Sequence, residues 1–520
     1  MGIERRHRAW SAAPLALALL AAGCESASNG PARPSGGPAP SVGAGAVGAA
    51  GAVARVCAEP VAGPAEAPAG AVPVDPAVVD DLAAKTRASP PHTTFWLRPG
   101  RHRLEPHRYA QVVPKQGNHY LGAPGAVLDG RGTNQYAFGG GARDVAIRHL
   151  TVQGFVAPHN EGVVNHDSAD GWVIEHATIQ HNSGAGLMAG ARQRVRANCL
   201  RGNGQYGLNA YKAGDTIRGL LVEDNEIVAN NTDDWERRRP GCGCTGGAKF
   251  WAVRGADVRG NWVHDNRGTG LWADTNNNDF RIENNVVEAN DGAALIYETS
   301  YNAVIRANTF RRNNWVEGRR EAERGDDFPY ATLYVSESGG EPRVRARTDR
   351  IEIHRNVLED NWSGITLWEN ADRFCNSPAN TSSGDCTLLV PRPERCARPA
   401  IATAPLYADC RWKTQRVDVH HNRFVANASV AGCADACQRM AVLANYGSYP
   451  DWSPYRGTRV AMAVTHRQRN RWHDNVYLGP WRFVAHDPSR VLDFGQWRGA
   501  PYGQDVGSTL DHEGGDRDGG

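Results

Sequence analysis

This chain of 520 residues has neither a strong excess of one sign of charge nor long apolar runs. The 58 basic and 56 acidic side chains leave a net charge of +2, so the chain lacks the basic surface that nucleic-acid binding requires. We therefore expect no nucleic-acid partner. Lysine is also rare, with five against a large excess of arginine, which we interpret as codon preference rather than function.

Helical periodicity is also absent from the long region that begins near residue 144. The chain has 58 Gly and 30 Pro, which favour many turns over long helices. Its hydrophobic content of 41% still allows a packed core. Fifteen tryptophans are a high number, and tryptophan is unfavourable on a surface unless it binds something.

The first 23 residues predict an export signal. Basic residues at positions 5–8 precede a short apolar run over residues 14–22, which is too short to span a bilayer. The following Gly23-Cys24 completes a segment, residues 20–24, that resembles the lipobox of bacterial lipoproteins. That resemblance implies lipidation of Cys24 and a membrane lipid anchor; the alternative is an ordinary signal peptide with a coincidental cysteine. Either way we expect an extracytoplasmic protein, lipid-anchored at the cell membrane or secreted.

Composition divides the rest of the chain into three parts. Residues 24–74 are rich in Ala, Gly and Pro, and predict a flexible tether because they cannot bury enough apolar surface to fold. Residues 75–505 are expected to form the folded domain. We expect the protein to be a monomer. Residues 506–520 end in an acidic, glycine-rich stretch and predict a disordered tail.

The cysteines agree with export. Besides Cys24 there are ten, an even number that favours disulfides in an exported chain, and six of them lie between residues 375 and 437. That region predicts a long loop insertion held by disulfides whose pairing the sequence does not give. Cys242-Gly-Cys244 could be half of a metal site, but no matching Cys or His pair follows at zinc spacing, which favours a disulfide.

One phrase recurs along the chain: Asn, four residues, Asn. Its first members are 27, 36, 24, 23, 48 and 66 residues apart, and the shorter steps are typical of a solenoid with one coil per repeat. At equivalent points of successive coils the Asn side chains can stack into a hydrogen-bonded ladder. The pairs are Asn198/Asn203, Asn225/Asn230, Asn261/Asn266, Asn285/Asn290, Asn308/Asn313, Asn356/Asn361 and Asn422/Asn427.

These turns, and the short Gly-(Ile/Leu)-x-(apolar) strands between them, resemble the right-handed parallel β-helix of the pectate-lyase-like superfamily over roughly residues 92–500. Residues 95–100 and 120–130 look like its opening coils. The resemblance implies an all-β fold, and residues 76–86, with Asp75 as N-cap, predict a helix that caps the open end. It does not fix the chemistry, because one fold hosts many functions.

Alternation along the strand after each Asn pair sets which side chains face outward. The inward members are Leu208/Ala210, Phe250/Ala252, Leu271/Ala273, Leu295/Tyr297, Leu333/Val335 and Ile365/Leu367. The outward members are Asn209/Tyr211, Lys249/Trp251, Trp272/Asp274, Ile296/Glu298, Tyr334/Ser336 and Thr366/Trp368. A slip of one residue would reverse both lists.

This register brings charged and aromatic side chains onto one exposed face. Lys249, Asp274 and Glu298 are the candidate catalytic residues, since adjacent coils lie about 4.8 Å apart. The rings that flank them are the candidate substrate-binding residues, because aromatic faces suit the C–H faces of sugars. They are Tyr211, Trp251, Trp272, Tyr334 and Trp368.

Two chemistries and two other interpretations remain open for this face. Paired carboxyl groups can hydrolyse a glycosidic bond. Alternatively they can hold Ca²⁺ while Lys249 moves a proton, as in a polysaccharide lyase; no cofactor is certain and Ca²⁺ is possible. The face could instead bind a polysaccharide without cleaving it, or could simply be a solvated sheet on which neighbouring charges pair.

Other charged residues are weaker candidates. Residues 231–235, Asn-Thr-Asp-Asp-Trp, resemble phrases of polygalacturonase-like hydrolases but fall in a turn. The remaining candidates fall into two groups. Glu161, His166 and Asp167 lie in an early coil, and the residues that lead into the cysteine-rich insertion are Glu369, Asn370, Asp372 and Arg373. Loops 314–330 and 371–415 should rise beside the aromatic face.

Overall fold

The computed structural model describes most of the chain beyond residue 52. The described residues are 53, 55–59, 62–240, 242–244, 246–325, 329–378, 380, 386–396, 399–427, 437–442, 450–456, 467–485 and 489–512. Cys24, Cys433 and the predicted export signal lie outside them.

The described strands form three long sheets whose neighbours are parallel, apart from one antiparallel pair at the end of sheet C. We call them sheets A, B and C. Sheet A contains Val72–Val74, Thr94–Leu97, His119–Gly122, Ala146–Arg148, Val173–Glu175, Arg194–Arg196, Ile217–Arg218, Leu221–Glu223, Val253–Arg254, Asp257–Arg259, Asn278–Glu283, Tyr301–Arg306, Ile351–His354, Val417–His420 and Arg471–His473.

Sheets B and C complete each coil. Sheet B contains Gly100–His102, Ala126–Asp129, Thr151–Gln153, Thr178–Gln180, Cys199–Arg201, Glu226–Val228, Trp262–His264, Val286–Glu288, Thr309–Arg311, Val357–Glu359, Arg423–Val425, Val476–Leu478 and Thr509–Asp511. Sheet C contains Gly162–Val164, Ala185–Met188, Leu208–Ala210, Ala248–Phe250, Leu271–Ala273, Leu295–Glu298, Leu333–Ser336, Ile365–Trp368, Arg439–Val442, Arg482–Ala485 and Val491–Leu492.

The chain visits the sheets in the order A, B, C and then returns to A one coil further on. The fold is an all-β right-handed parallel β-helix, as the sequence predicts. Its core is the stack of inward side chains, such as Val258, Val287 and Leu295, which are all buried. Three-residue strands suffice because every coil is paired on both sides, so backbone groups are satisfied by neighbouring coils.

The predicted Asn ladders are present at both positions of the repeat. At the first, the side-chain amide of Asn261 donates to Oδ1 of Asn285 at 2.9 Å, and Asn285 donates to Asn308 at 2.9 Å. At the second, Asn266 donates to Asn290 at 2.9 Å. Asn427 is the exception: its side chain donates to Asp360 instead, so the second ladder stops one coil earlier than the motif predicts.

Five described helices lie at the ends or in insertions: Asp81–Ala88, Trp235–Arg238, Trp315–Glu323, Leu406–Asp409 and Phe494–Arg498. Short 3₁₀ helices are Val56–Ala58, Pro393–Cys396 and Ala400–Ala402. The first helix buries Leu82 and Ala83 at the N-terminal end of the core, where a cap was predicted. It begins at Asp81 rather than after Asp75, so the predicted N-cap is wrong. Within the described chain, none of the helices combines the length and apolarity that membrane crossing needs.

Both predicted domain boundaries need correction. Val72–Val74 is already a strand of sheet A, and Cys57 forms a disulfide with Cys199, so the C-terminal part of the predicted tether belongs to the folded domain. At the other end Thr509–Asp511 pairs with Val476–Leu478 in sheet B, so the predicted disordered tail begins with a strand. Strand pairing offers backbone hydrogen bonds that composition alone does not reveal.

The predicted disulfides appear in the described part of the chain. Besides Cys57–Cys199, the bonds are Cys242–Cys244 and Cys396–Cys410. The last closes a segment of the predicted insertion, with a sequence separation of 14. Cys375 and Cys386 are buried thiols beside one another in the same insertion.

Candidate functional site

The outward face of sheet C has the predicted register. The inward members of each predicted pair are at most 2% exposed, with one exception. Ala252 is half-buried and lies in a left-handed turn with φ of 51°, because this strand ends at Phe250. Ala248 and Phe250 are the true inward pair in that coil.

Two outward rows run along the solenoid axis. Lys249 pairs with Trp272, and Trp272 pairs with Ile296, so these three residues share the first row. Asp274 and Glu298 follow the paired residues Ala273 and Tyr297, which puts both carboxylates in the second row. The two rows bring together all three predicted catalytic residues.

Lys249 and Asp274 form an ion pair across the two rows. The Lys249 Nζ lies 2.9 Å from Oδ2 of Asp274, and the side chains are only 12% and 9% exposed. Burial lowers the pKa of Lys249, but Asp274, with Tyr206 and Glu298, outweighs burial and raises its pKa above the usual value. Lys249 therefore carries a positive charge at neutral pH, which is unfavourable for a base.

Glu298 accepts hydrogen bonds from two sides. The indole nitrogen of Trp272 donates to Oε2 at 3.0 Å, and Arg373 donates to Oε1. Arg373 also reaches Glu337, with Nη1 3.3 Å from Oε2. One guanidinium group from the 371–415 loop thus contacts two carboxyl groups of adjacent coils.

Glu337 was not among the predicted residues. It follows the outward Ser336, whose hydroxyl donates to its Oε2 at 2.6 Å, and it is fully buried. Burial raises its pKa to about 7, with Arg373 opposing the shift and Glu298 reinforcing it. Its φ of 42° turns the chain out of the strand, so alternation along the strand does not predict where its side chain points.

The predicted aromatic residues also lie on this face, at different exposures. Tyr211 is the most exposed at 41%, and its ring contacts Trp251 edge to face at 6.4 Å. Tyr334 and Trp368 lie 6.2 Å apart further along the sheet. The ammonium of Lys249 lies 4.0 Å from the ring centroid of Trp272, which is a cation–π contact.

The face is more covered than predicted, because two insertions lie on it. The carbonyl of Gly243, in the loop between residues 235 and 247, accepts from Lys249. A Cβ at Gly243 would lie 3.0 Å from the ring of Trp272, so this loop packs directly on the tryptophan. From the other side, Arg373 covers Glu298. The predicted exposure of this face is therefore wrong here, because its charges are half-buried or buried, whereas the cross-strand pairing of charges that the alternative interpretation expected is present between Lys249 and Asp274.

Of the weaker candidates, Arg373 lies on this face, and Glu369 is close enough to Glu337 to raise its pKa. Residues 231–234 lie in a turn before the helix Trp235–Arg238, as predicted, and Trp235 is the first residue of that helix. Glu161 accepts from Tyr136, and His166 stacks on the Tyr136 ring with centroids 3.7 Å apart, at the N-terminal end of sheet C. Glu369 is fully buried in an ion pair with Arg411 at 2.6 Å, which favours a structural role.

The carboxylates of this face do not fit a Ca²⁺ site. Calcium needs several oxygen ligands with net negative charge. Asp274 is already paired with Lys249, and Glu298 with Arg373. These cations supply the positive charge that a metal ion would otherwise bring.

One family model agrees with the fold described above. Residues 161–348 match the model of the family described as the right-handed beta helix region. None of the curated proteins matches the sequence of the chain.

Several solved structures resemble the chain at low identity. One is the catalytic unit of a thermostable GH87 alpha-1,3-glucanase from Streptomyces thermodiastaticus: 13% identity, 87% of this chain and 71% of that chain covered, TM-score 0.46. Another is a mannuronan C-5 epimerase A-module from Azotobacter vinelandii, with 12% identity, 69% of this chain and 92% of that chain covered, and a TM-score of 0.29. A third is a tailspike protein of an E. coli bacteriophage in complex with pentasaccharide, with 9% identity, 86% of this chain and 65% of that chain covered, and a TM-score of 0.37. None of these likenesses bears on what this chain binds or does.

Proposed function

We propose that the protein is a glycoside hydrolase that cleaves a polysaccharide on the outward face of sheet C. The observation that carries the proposal is the contact of one arginine, Arg373, with two carboxyl groups, Glu298 and Glu337. One of the two has a pKa raised to about 7 by burial. Paired carboxyl groups with separated pKa values are the usual means of acid–base cleavage of glycosides.

In this proposal Glu337 holds a proton near neutral pH, because burial raises its pKa to about 7. Glu298 is the more exposed of the two, with 15% of its side chain accessible, and it faces the substrate. It would take up the proton of Glu337 and pass it to the glycosidic oxygen.

Asp274 is the second functional carboxylate. It occupies the next coil at the position equivalent to Glu298, and neighbouring strands lie about 4.8 Å apart. Carboxyl groups about 5 Å apart are typical of hydrolases that retain anomeric configuration through a covalent intermediate. We therefore assign Asp274 as the nucleophile and Lys249 as the cation that orients it.

The geometry favours hydrolysis over elimination. A lyase needs a neutral base to remove a proton beside a uronate, and Lys249 was the candidate. The raised pKa of Lys249 and its contact with Asp274 keep it protonated. The aromatic rings beside the carboxylates, above all Trp272 and Trp368, supply stacking surfaces for sugar rings.

The alternative function is glycan binding without cleavage. The observation that favours it is the low exposure of the charges: Asp274 and Glu298 are 9% and 15% exposed and engaged by cations. In that case the aromatic residues would bind the glycan and the ion pairs would only stabilise the face.

A panel of soluble polysaccharides tests both functions. Reducing ends report hydrolysis, and ultraviolet absorbance of unsaturated uronates reports elimination. We expect new reducing ends without that absorbance, and with no need for added Ca²⁺. The variants Asp274→Asn and Glu298→Gln should lose at least about 100-fold in rate while still binding the polysaccharide.

Glu359→Gln is the matched control, because Glu359 lies on sheet B in the same solenoid. Its rate should equal that of the wild type. Trp272→Ala combined with Trp368→Ala should weaken binding. A wild type that binds a glycan but never shortens it would establish the second function, and unchanged rates in both amide variants would exclude the assigned roles.

We also propose export and lipid anchoring at Cys24, and a monomeric protein of the pectate-lyase-like superfamily. The lipobox-like segment at residues 20–24 supports the anchor, and the opening coil at residues 120–130 supports the superfamily. Cys24→Ala should release the protein from membranes. A wild type that is already soluble in the medium would contradict the anchor.

A further inference from the structure

Two cysteines and a histidine meet beside the candidate site, in a place that none of the assigned roles uses. A ring nitrogen of His159 and the sulfurs of Cys242 and Cys244 all lie within 4.8 Å of one another. The His159 Nε2 is buried and has no hydrogen-bond partner among the described residues. The Glu236 Oε2 lies 3.7 Å from the Cys242 sulfur. A buried imidazole nitrogen without a partner is unfavourable unless something else binds it.

The segments that carry these groups are held in place by one buried side chain. Gln205 accepts from the amide of Asn160 at 2.7 Å and donates to its side chain at 2.8 Å. The same Gln205 donates to the carbonyl of Cys244 at 3.4 Å. His159 and Cys244 are therefore positioned by a shared neighbour, as the ligands of metal sites usually are.

The disulfide between Cys242 and Cys244 does not connect these segments. Its two cysteines are separated by two positions in sequence, so the bond closes a very small loop and restricts only the loop itself. His159 belongs to an earlier coil. A metal ion bound to all three residues would link two segments more than eighty residues apart, where loop closure stabilises more.

We propose that the reduced form of this cluster is a zinc site, with Cys242, Cys244 and His159 as ligands and Glu236 as the fourth. Two thiolates and an imidazole are the ligand types that Zn²⁺ prefers, in a tetrahedral arrangement. The site binds the metal only when the disulfide is reduced.

The exchange between the two states is balanced. A dithiol or phosphine reductant supplies two electrons and, with two protons from solvent, converts the disulfide into two thiols. Zn²⁺ then displaces both thiol protons and forms two Zn–S bonds of about 2.3 Å and one Zn–N bond of about 2.0 Å. In the reverse direction a small-molecule disulfide takes two electrons from the thiolates and, with two protons from solvent, becomes two thiols, while the protein disulfide re-forms and Zn²⁺ is released.

The site would act on the candidate face through Gly243. This residue lies between the two cysteines, and its carbonyl accepts from Tyr206 at 3.2 Å and from Lys249. The bound metal would therefore fix the loop against Trp272 and Lys249. This consequence rests on the proposed function, whereas metal binding itself does not.

Cobalt binding to the phosphine-reduced protein, without oxygen, tests the proposal. Co²⁺ in a tetrahedral thiolate site gives thiolate-to-metal charge-transfer and strong d–d absorption. We expect the wild type to bind one more equivalent than Cys242→Ser/Cys244→Ser. That difference separates this site from the thiols near Cys375. His159→Ala should bind at least about tenfold more weakly.

His166→Ala is the histidine control and should bind like the wild type. Circular dichroism and a thiol count before titration establish that each variant is folded and that the pair is reduced. Equal cobalt binding by the wild type and the double cysteine variant would overturn the proposal, as would unchanged affinity in His159→Ala. A pair that resists excess phosphine would also overturn it, because the binding state would be inaccessible.

Discussion

The Nζ of Lys249 lies 2.9 Å from Oδ2 of Asp274, although the two residues belong to different outward rows of sheet C. The long lysine side chain crosses from its own row to the next coil. Both groups are largely removed from water, so each charge depends on the other. This pair thus stabilises the face and fixes the carboxylate that we assign as nucleophile.

Removing one partner of this pair should destabilise the fold more than removing both. We expect Asp274→Asn to reduce the free energy of unfolding by about 3 kcal/mol, since it leaves a buried ammonium without its partner. Asp274→Asn combined with Lys249→Met should recover much of that loss. Urea unfolding measures both.

The exposed pair Glu321–Arg324 is the control for this prediction. Its charged atoms are 2.8 Å apart, a similar distance, but the arginine is 65% exposed. Glu321→Gln should change stability by no more than about 1 kcal/mol. Equal losses at Asp274 and Glu321 would mean that burial adds nothing to the Lys249–Asp274 pair.

The stacked coils and the outward face were predictable because they repeat. Each Asn pair fixes a turn, and strict alternation then decides which side of sheet C a residue such as Glu298 faces. The one failure, Ala252, comes where a strand ends early and its turn residue adopts positive φ. Local periodicity carries no information about such an end.

The residues that complete the site were not predictable in the same way. Arg373 is among the weaker candidates of the sequence, but its contact with Glu298 depends on the path of an insertion without a repeat. Glu337 lies in a turn, and His159 precedes the cysteines instead of following them at zinc spacing. Only the folded chain brings these residues together.

The raised pKa of Glu337 predicts a pH dependence of stability. Burial raises this pKa from 4.5 to about 7, so between those values the folded protein binds a proton that the unfolded chain has lost. Stability therefore falls as pH rises from about 4.5 to 7 and changes no further above that range. Glu337→Gln removes this contribution, because an amide does not titrate.

Urea unfolding at pH 5 and pH 8 measures the effect. Relative to the wild type, Glu337→Gln should be more stable at pH 8 than at pH 5. Desolvation also raises the pKa of the half-buried Glu317 to about 7, so Glu317→Gln should show the same pH-dependent change in stability. Glu359→Gln controls for the amide substitution. The same difference from the wild type at both pH values would refute the pKa assigned to Glu337.

The contribution of the Asn ladder to stability can be tested at two positions of the same sequence motif, one inside the ladder and one outside it. Asn285 is buried inside the ladder: its amide donates to Asn308 at 2.9 Å and its Oδ1 accepts from Asn261 at 2.9 Å. Asn427 belongs to the same sequence motif but is half-buried and donates to Asp360. The two positions therefore separate the effect of stacking from the effect of the residue type.

Asn285→Ala should reduce the free energy of unfolding by about 3 kcal/mol, because it removes the buried hydrogen bonds of this side chain to Asn261, Asn308 and the Val258 carbonyl and leaves the backbone N–H of Asn261 without its acceptor. Asn427→Ala should cost about 1 kcal/mol, since water can reach the freed Asp360 carboxylate. Chemical unfolding monitored by circular dichroism gives both values. Equal losses would mean that the ladder stabilises the solenoid no more than isolated hydrogen bonds do, and that its regularity reflects turn geometry alone.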